Sequence, residues 1–303
     1  MRIVFVGAIE FSRHCLETVL ALGGDVVAVF TLPPDMGKAR HSDYADLQPL
    51  ADKHGISLHR ADDLNGSPDA IAVYKPDVLF CFGWSGMLSP EILAIPKLGC
   101  IGSHPALLPR NRGRHPIIWA IQLGLRESGL TFFRMTDKAD AGPIISQRTF
   151  GLYPMDDAGT VYHRVCESAS SQIRDFLPDL TAGKLGFVPQ DPNIEPNYWR
   201  KRGPEDGLID FRMSSAAICR LVRALARPYP GAHVRYHERD VKVWKAKITL
   251  DMCRWDNLEP GKVLAFLPTG VHVKSDDGAV CLVDHEFNEG AMPRMPKVGE
   301  YIQ

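Results

Sequence analysis

The chain has 303 residues, of which 45% are hydrophobic and 23% charged, enough for one large core and a smaller second one. Its formal charge of −1 gives no global bias toward nucleic acid. The seven cysteines are scattered without a Cys-x-x-Cys pair, which suits a reducing compartment and argues against a thiolate zinc site.

The first two thirds of the chain alternate apolar strand patterns with helical patterns. This order is typical of an α/β fold with a Rossmann-like, doubly wound, mainly parallel sheet. Strands are predicted at 2–6, 25–30, 77–82, 129–135 and 143–150, and helices after Gly7, at 43–54, from Pro116 to Leu123 and at 159–182. No apolar run approaches bilayer-spanning length and residues 2–6 read as a strand instead of a signal peptide, so we expect a cytoplasmic protein without a membrane partner.

The composition changes near residues 188–207, where prolines and glycines read as a linker. We therefore predict a catalytic domain over 1–187 and a smaller domain over 208–303. The smaller domain has one helix pattern at about 213–227. It continues with short strands at 232–236, 241–249, 261–266, 270–274 and 279–283, spaced as in a small antiparallel barrel.

Two segments carry the candidate chemistry, one from Ile101 to Arg114 and the other from Asp137 to Gly142. The buried strand predicted at 77–82 precedes the first segment, which places His104 at the carboxyl end of the sheet, where open α/β folds bind their ligands. Asp140 in the second segment supplies a carboxylate. A carboxylate beside a histidine orients the imidazole and stabilises its cationic form.

These segments resemble the folate-dependent formyltransferases. The family pattern is Asn-x-His, Ser-Leu-Leu-Pro, Arg-Gly and Asp-x-Gly. This chain reads Gly102-x-His104, Ala106-Leu107-Leu108-Pro109, Arg112-Gly113 and Asp140-x-Gly142. The resemblance covers most of residues 1–200 and implies an enzyme that transfers a formyl group from N10-formyltetrahydrofolate to an amine. It also implies an OB-like carboxyl-terminal domain and a reaction without a metal.

The resemblance gives His104 the role of the base and Asp140 that of its partner. The family's asparagine is replaced by Gly102, which has no side chain to donate a hydrogen bond to the tetrahedral oxyanion. Ser103 is a candidate substitute donor because it is adjacent, but along an extended strand its side chain points to the opposite face. Asn111, Ser85, an ordered water and protonated His104 are the alternative donors.

In the family the pterin is held between the loop that corresponds to residues 82–88 and the loop that corresponds to residues 138–142, in an apolar slot with backbone hydrogen bonds. The residues implied here are Phe82, Gly83, Trp84, Ser85, Met87, Leu88, Ala139 and Gly142. Trp84 and Met87 are equally well explained as packing residues. Gly7 lacks the other glycines of a dinucleotide fingerprint, so NAD is disfavoured.

The acceptor is predicted to meet Asn111, Arg112, Gly113 and Arg114, whose arginines suit phosphate or carboxylate groups, with a solvated turn as the alternative. Residues 204–303 hold equal numbers of basic and acidic side chains, whereas a domain that grips transfer RNA needs a basic surface. We therefore favour a nucleotide-linked amino sugar as a small-molecule acceptor. Methionyl-transfer-RNA formylation, hydroxyornithine formylation and a catalytically weak folate-binding protein stay as alternatives, and the sequence leaves monomer and homodimer open.

Overall fold

The computed structural model describes residues 1–249, 257–287 and 295–303. The chain forms two compact units that are discontinuous in sequence. The first comprises Met1–Pro116, Glu127–Gly151 and Tyr162–Arg200, and the second Ile117–Arg126, Leu152–Val161 and Lys201–Gln303. The domain boundaries expected at 187 and 207 stay a prediction.

The first unit contains a seven-stranded sheet. Its strands are β1 (Arg2–Val6), β2 (Asp25–Thr31), β3 (Ser57–Arg60), β4 (Val78–Cys81), β5 (Cys100–His104), β7 (Glu127–Arg134) and β8 (Ile144–Gly151). Their order is β3-β2-β1-β4-β5-β7-β8. The first five strands are parallel to one another, and the pairings of β5 with β7 and of β7 with β8 are antiparallel. The short strand β6 (Arg112–Gly113) pairs with β9 (Tyr198–Trp199) outside this sheet. The predicted mainly parallel α/β class is confirmed.

Strands β1 and β4 are buried along almost their whole length, which explains their continuous apolar runs. Their aromatic side chains meet in one cluster, where the Phe80 and Phe82 rings are stacked with centroids 5.0 Å apart. Phe5 and Phe132 pack edge-on against Phe82. This cluster forms the part of the core that lies directly beneath the carboxyl ends of β4 and β5.

The helices are α1 (Glu10–Ala21), α2 (Pro34–Arg40), α3 (Gln48–His54), α4 (Pro68–Ala72), α5 (Pro90–Leu93), α6 (Pro116–Gln122), α7 (Ala158–Thr181) and α8 (Ser215–Ala224). The helix expected over 43–54 begins only at Gln48, because Pro49 suits a first helical turn and not a helix interior. Pro34 begins a helix for the same reason. Among the residues described, none of these helices combines the length and apolarity needed to cross a membrane.

The second unit contains a five-stranded antiparallel sheet with the order β10-β11-β14-β13-β12. The strands are β10 (Ala232–Tyr236), β11 (Arg239–Thr249), β12 (Val263–Leu267), β13 (Gly270–Lys274) and β14 (Ala279–His285). Helix α8 packs against β11 and β14, and the Ser214 hydroxyl caps its first turn by accepting the Ala217 N–H. The predicted β-rich carboxyl-terminal domain is confirmed.

Candidate functional site

His104 is the last residue of β5 and is almost fully buried. Its Nε2 lies 2.7 Å from the backbone carbonyl oxygen of Asn111. A carbonyl oxygen only accepts hydrogen bonds, so Nε2 carries a proton and donates it. In the neutral imidazole this leaves the lone pair on Nδ1, which makes Nδ1 the ring atom that is able to take up a proton.

Asp140 faces that atom. Its Oδ2 lies 3.7 Å from Nδ1 of His104, which is too long for a hydrogen bond but close enough for an ion pair when the ring is protonated. The same oxygen accepts the Gly113 N–H at 2.9 Å, which fixes the carboxylate. The imidazole is therefore oriented by the Asn111 carbonyl, while Asp140 favours the cation that forms on proton uptake.

The turn that carries Asn111 and Gly113 is held by a distant segment. Gly113 has φ +103°, and a Cβ there would lie 2.3 Å from the Trp199 carbonyl oxygen, so only glycine lets β6 approach β9. The Asn111 N–H donates to Oδ1 of Asn197 at 2.9 Å. These contacts place the Asn111 carbonyl on His104 and the Gly113 N–H on Asp140.

Three non-glycine residues near this turn have left-handed backbones, namely Asn111 (φ 61°), His115 (φ 55°) and Asp140 (φ 53°). Asparagine, aspartate and histidine tolerate this conformation better than other side chains, but each still carries some strain. Such residues concentrate at functional sites, where the surrounding structure holds them in place. The backbone outliers and the His104–Asp140 pair thus mark the same place in the first unit.

Gly102 lies two residues before His104, and so on the same face of β5, whereas Ser103 faces the opposite side. Gly102 is not in a left-handed conformation, so its backbone allows other residues. Its space is nevertheless taken, because a Cβ there would lie 2.9 Å from Cγ of Met135 and 3.3 Å from Cζ of Phe133. Met135 thus fills the volume that an asparagine side chain would need.

The loop after β4 divides into core and surface residues. The side chains of Phe82 and Leu88 are buried in the core, and Trp84 packs partly against it. Gly83 has φ +74° and lies against Ser12, while Ser85 is exposed and Met87 is about half exposed. The accessible side chains of this loop are therefore those of Trp84, Ser85 and Met87.

The Asp140 loop is also fixed by its backbone. The side-chain Nε2 of Gln190 donates hydrogen bonds to the backbone carbonyl oxygens of Asp140 and Gly142, at 2.8 Å each. A Cβ on Gly142 would lie 1.7 Å from the Arg134 carbonyl oxygen, so this position requires glycine. Ala139 is half-buried in the same loop.

The two predicted substrate arginines have different surroundings. Arg112 is 9% exposed and donates to the Tyr198 hydroxyl at 2.8 Å and to Oε1 of Gln190 at 2.6 Å. Arg114 is less buried and donates to the carbonyl oxygen of Ser85. Arg114 thereby joins the turn to the loop after β4.

Two cavities lie in this part of the first unit. One, of about 240 Å³, is lined by Leu32, Arg40, Asp62, Asp63, Trp84, Ser85 and Gly86. The other, of about 460 Å³, is lined by Pro109, Arg112, Ala141, Pro143, Pro189, Gln190, Asp191, Pro192, Ile194 and Pro196. Each cavity takes its lining from one of the two loops predicted to hold the pterin, not from both.

Sequence reasoning missed the contribution of residues 188–199, which were expected to be a linker. Val188 pairs through its backbone with Ile144. The turn from Asn111 to Gly113 and the Asp140 loop are contacted by Gln190, Asn197, Tyr198 and Trp199. The only local signal was an aromatic pair after a proline-rich run, Asn197-Tyr198-Trp199. Among the residues that the structure describes, no three His, Cys, Asp or Glu side chains are placed to share a metal ion.

Residues 1–177 match the formyl transferase family, and residues 201–297 match the formyl transferase C-terminal domain. The chain belongs to the formyl transferase family. The family predicted from the motifs is thus confirmed, and the predicted enzyme class is that of the family.

Solved structures of low sequence identity share the fold. HypX from Aquifex aeolicus in complex with tetrahydrofolic acid is 21% identical with a TM-score of 0.68. That match covers 100% of this chain and 50% of HypX, so the chain spans about half the length of that protein. The N-formyltransferase from Helicobacter canadensis, in complex with folinic acid and dTDP-3-aminofucose, is 18% identical with a TM-score of 0.69 over 93% of this chain and 98% of that one. The methionyl-tRNA formyltransferase from Clostridium thermocellum is 17% identical with a TM-score of 0.60, over 82% and 94%.

Proposed function

We propose that this chain transfers a formyl group from N10-formyltetrahydrofolate to the primary amine of a nucleotide-linked amino sugar. The observation that carries the proposal is the placement of the His104 ring between the Asn111 carbonyl and the Asp140 carboxylate, in a chain that belongs to the formyl transferase family. One ring nitrogen is fixed on a backbone carbonyl, and the other is free to take a proton opposite a carboxylate.

The reaction forms a bond between the acceptor nitrogen and the formyl carbon and breaks the bond from that carbon to N10 of the donor. The attacking amine loses a proton, and the departing N10 gains one. His104 takes the first proton at Nδ1, and the imidazolium that results is stabilised by Asp140 at 3.7 Å. The same Nδ1 then returns the proton to the leaving nitrogen, which restores the neutral ring.

The cavity at the carboxyl end of β4 suits a flat, partly polar donor. It offers Trp84 and Leu32 as apolar walls together with charged groups from Arg40, Asp62 and Asp63. A pterin needs this combination of an apolar slot and hydrogen-bonding groups. We assign the donor to the Trp84 side of the site, with the Asp140 loop opposite.

The acceptor proposal rests on charge and on the chemistry of the turn. The second unit lies within residues 117–303, and its stretch from Pro204 to the end has no net charge, unlike a domain that grips transfer RNA. A nucleotide-linked sugar needs only a few cationic or amide donors for its two phosphates. The N-formyltransferase from Helicobacter canadensis, which shares the fold, was solved in complex with dTDP-3-aminofucose, a ligand of this kind.

The test is a direct transfer assay. The protein is incubated with N10-formyltetrahydrofolate and, separately, with nucleotide-linked 4-amino-4,6-dideoxy sugars, hydroxyornithine and methionyl-transfer RNA, and each product is read by its mass. Formylation of a nucleotide-linked sugar, lost in His104→Gln, is the expected result. Formylation of methionyl-transfer RNA alone would show that the acceptor is transfer RNA and not a nucleotide-linked sugar. Folate binding without any formylated product would show that the chain is a folate-binding protein and not an enzyme.

A further inference from the structure

Arg112 is a buried cation without an acidic partner among the residues that the structure describes. The residue is 9% exposed, and its partners are the Gln190 side-chain amide oxygen, the Tyr198 hydroxyl and the face of the Tyr198 ring, with the guanidinium carbon 5.6 Å from the ring centroid. No aspartate or glutamate among the described residues forms an ion pair with it, and its Nε has no hydrogen-bond partner. Buried guanidinium groups are normally paired with an anion.

This arginine lines the larger of the two cavities described above. The remaining walls are mostly apolar, with five prolines and Ile194, and the one acidic lining residue, Asp191, is exposed and accepts hydrogen bonds from Asn193. A volume of about 460 Å³ is in the range of small-molecule sites. Apolar walls around one cationic group suit a ring that bears a phosphate or a carboxylate.

The cavity is joined to the candidate catalytic groups by one side chain. Gln190 accepts from Arg112 through Oε1 and donates through Nε2 to the carbonyl oxygens of Asp140 and Gly142. Ala141 of the same loop lines the cavity. An anion held on Arg112 is therefore separated from the Asp140 backbone by a single side-chain amide, so the cavity adjoins the candidate site.

We infer that the Arg112 cavity binds the anionic group of a ring-bearing substrate, either a phosphate of the acceptor nucleotide or a carboxylate of the donor's aminobenzoylglutamate tail. This inference rests on the proposed function for the identity of the substrate, but not for the presence of the anion site. Arg112 is then a binding residue that supplies charge, while Gln190 transmits the position of the bound anion to the Asp140 loop.

The test changes the charge of the cavity without removing Arg112, whose loss would disturb Gln190 and Tyr198. Ile194→Glu places a carboxylate in the wall and Ile194→Gln is its neutral, equally sized control. Titration calorimetry measures binding of inorganic phosphate, thymidine diphosphate and p-aminobenzoylglutamate to each. We expect one organic anion to bind the native protein, to bind Ile194→Glu about tenfold or more weakly, and to bind Ile194→Gln almost normally. Arg112→Met, if it folds, is expected to lose the same ligand.

The three probes distinguish the outcomes. Loss of thymidine diphosphate binding assigns the cavity to the acceptor, and loss of p-aminobenzoylglutamate binding assigns it to the donor. Equal binding to the Glu and Gln variants, or no binding of any probe to the native protein, overturns the inference. Charge-sensitive binding without formyl transfer to any acceptor would refute the proposed function alone, because the binding assay needs no turnover.

Discussion

Two histidine–aspartate pairs in this chain have the same separation but different surroundings. Nδ1 of His104 lies 3.7 Å from Oδ2 of Asp140, and Nε2 of His233 lies 3.7 Å from Oδ2 of Asp240. Both histidines are buried. The Asp140 side chain is 18% exposed and fixed by a backbone N–H, whereas the Asp240 side chain is 54% exposed and shares its charge with Arg235.

The comparison shows that distance alone does not identify a catalytic pair. His104 ends a parallel strand, where ligands bind in open α/β sheets, and one ring nitrogen is committed to the Asn111 carbonyl. His233 lies inside β10, between neighbouring strand residues, in an antiparallel sheet. Burial lowers the pKa of His233, because it disfavours the protonated ring.

The largest expected effect separates the two histidines by activity. His104→Gln keeps a donor for the Asn111 carbonyl but removes the basic nitrogen, so we expect the formyl transfer rate to fall by about a hundredfold to ten-thousandfold. The matched variant His233→Gln is expected to keep the rate of the native protein. Mass-detected transfer with the best acceptor measures both, and circular dichroism checks the fold. Equal losses in the two variants would remove the distinction.

The next effect concerns the two carboxylates. Asp140→Asn still accepts the Gly113 N–H, but it no longer stabilises a protonated His104. We expect kcat to fall by about tenfold, because the opposite charge that stabilises the imidazolium is gone. Asp240→Asn is the control and is expected to keep the kcat of the native protein. A native kcat in Asp140→Asn would show that the carboxylate does not act on the imidazole.

A smaller effect is expected at Gly102, two residues before His104, where the Met135 side chain occupies the space beside the glycine. Gly102→Ala brings a Cβ to 2.9 Å from Cγ of Met135, which is flexible, so we expect a loss of about 1 kcal/mol in unfolding free energy. Met135→Ala in the same chain should relieve most of that strain. Denaturant unfolding of the two single variants and the double variant measures the coupling.

The same pair tests the missing asparagine. Gly102→Asn alone is expected to lower both stability and turnover, because Met135 occupies the place of the amide. Together with Met135→Ala, the asparagine fits and is expected to leave turnover unchanged or raise it, by no more than the roughly 2.7–4 kcal/mol that one oxyanion donor supplies. If the double variant and its Gly102→Ala counterpart lose activity equally, the site does not use a donor at this position.

The local pattern predicted much of the fold. Strands β10 and β13 begin and end where the sequence indicates, at 232–236 and 270–274, because apolar alternation and turn residues are local signals. Strand β3 was missed because its four residues are only partly buried and show no apolar run. Its place in the sheet comes from pairing with β2, which no local pattern encodes.

The sequence predicted which side chains belong to the candidate site, but not the contacts that hold them. The motifs indicated His104 and Asp140, but not that the Asn111 carbonyl orients the imidazole, because a backbone contact leaves no residue signature. Nor did they indicate that Met135 fills the space beside Gly102. The contacts from Gln190 and Asn197 arise from a segment about fifty to ninety residues downstream of their partners, where composition suggested only a linker.

The smallest expected effect concerns acid and the second histidine pair. Because the folded pKa of His233 lies below its ordinary value of 6.5, the unfolded chain binds a proton first as the pH falls. The stabilisation from the neutral ring is therefore complete above pH 6.5 and is lost as the pH falls through the lower folded pKa. His233→Gln removes this contribution, so we expect its melting temperature to fall less than that of the native protein between pH 7.5 and pH 5.

Two other histidines of the same sheet, the buried His272 and the half-buried His285, also have pKa values lowered by burial and act in the same direction. Acid sensitivity in His233→Gln should therefore be reduced and not abolished. If the melting temperature of His233→Gln fell as far as that of the native protein, protonation of His233 would not be coupled to folding, and the stability part of the contrast between the two pairs would fail.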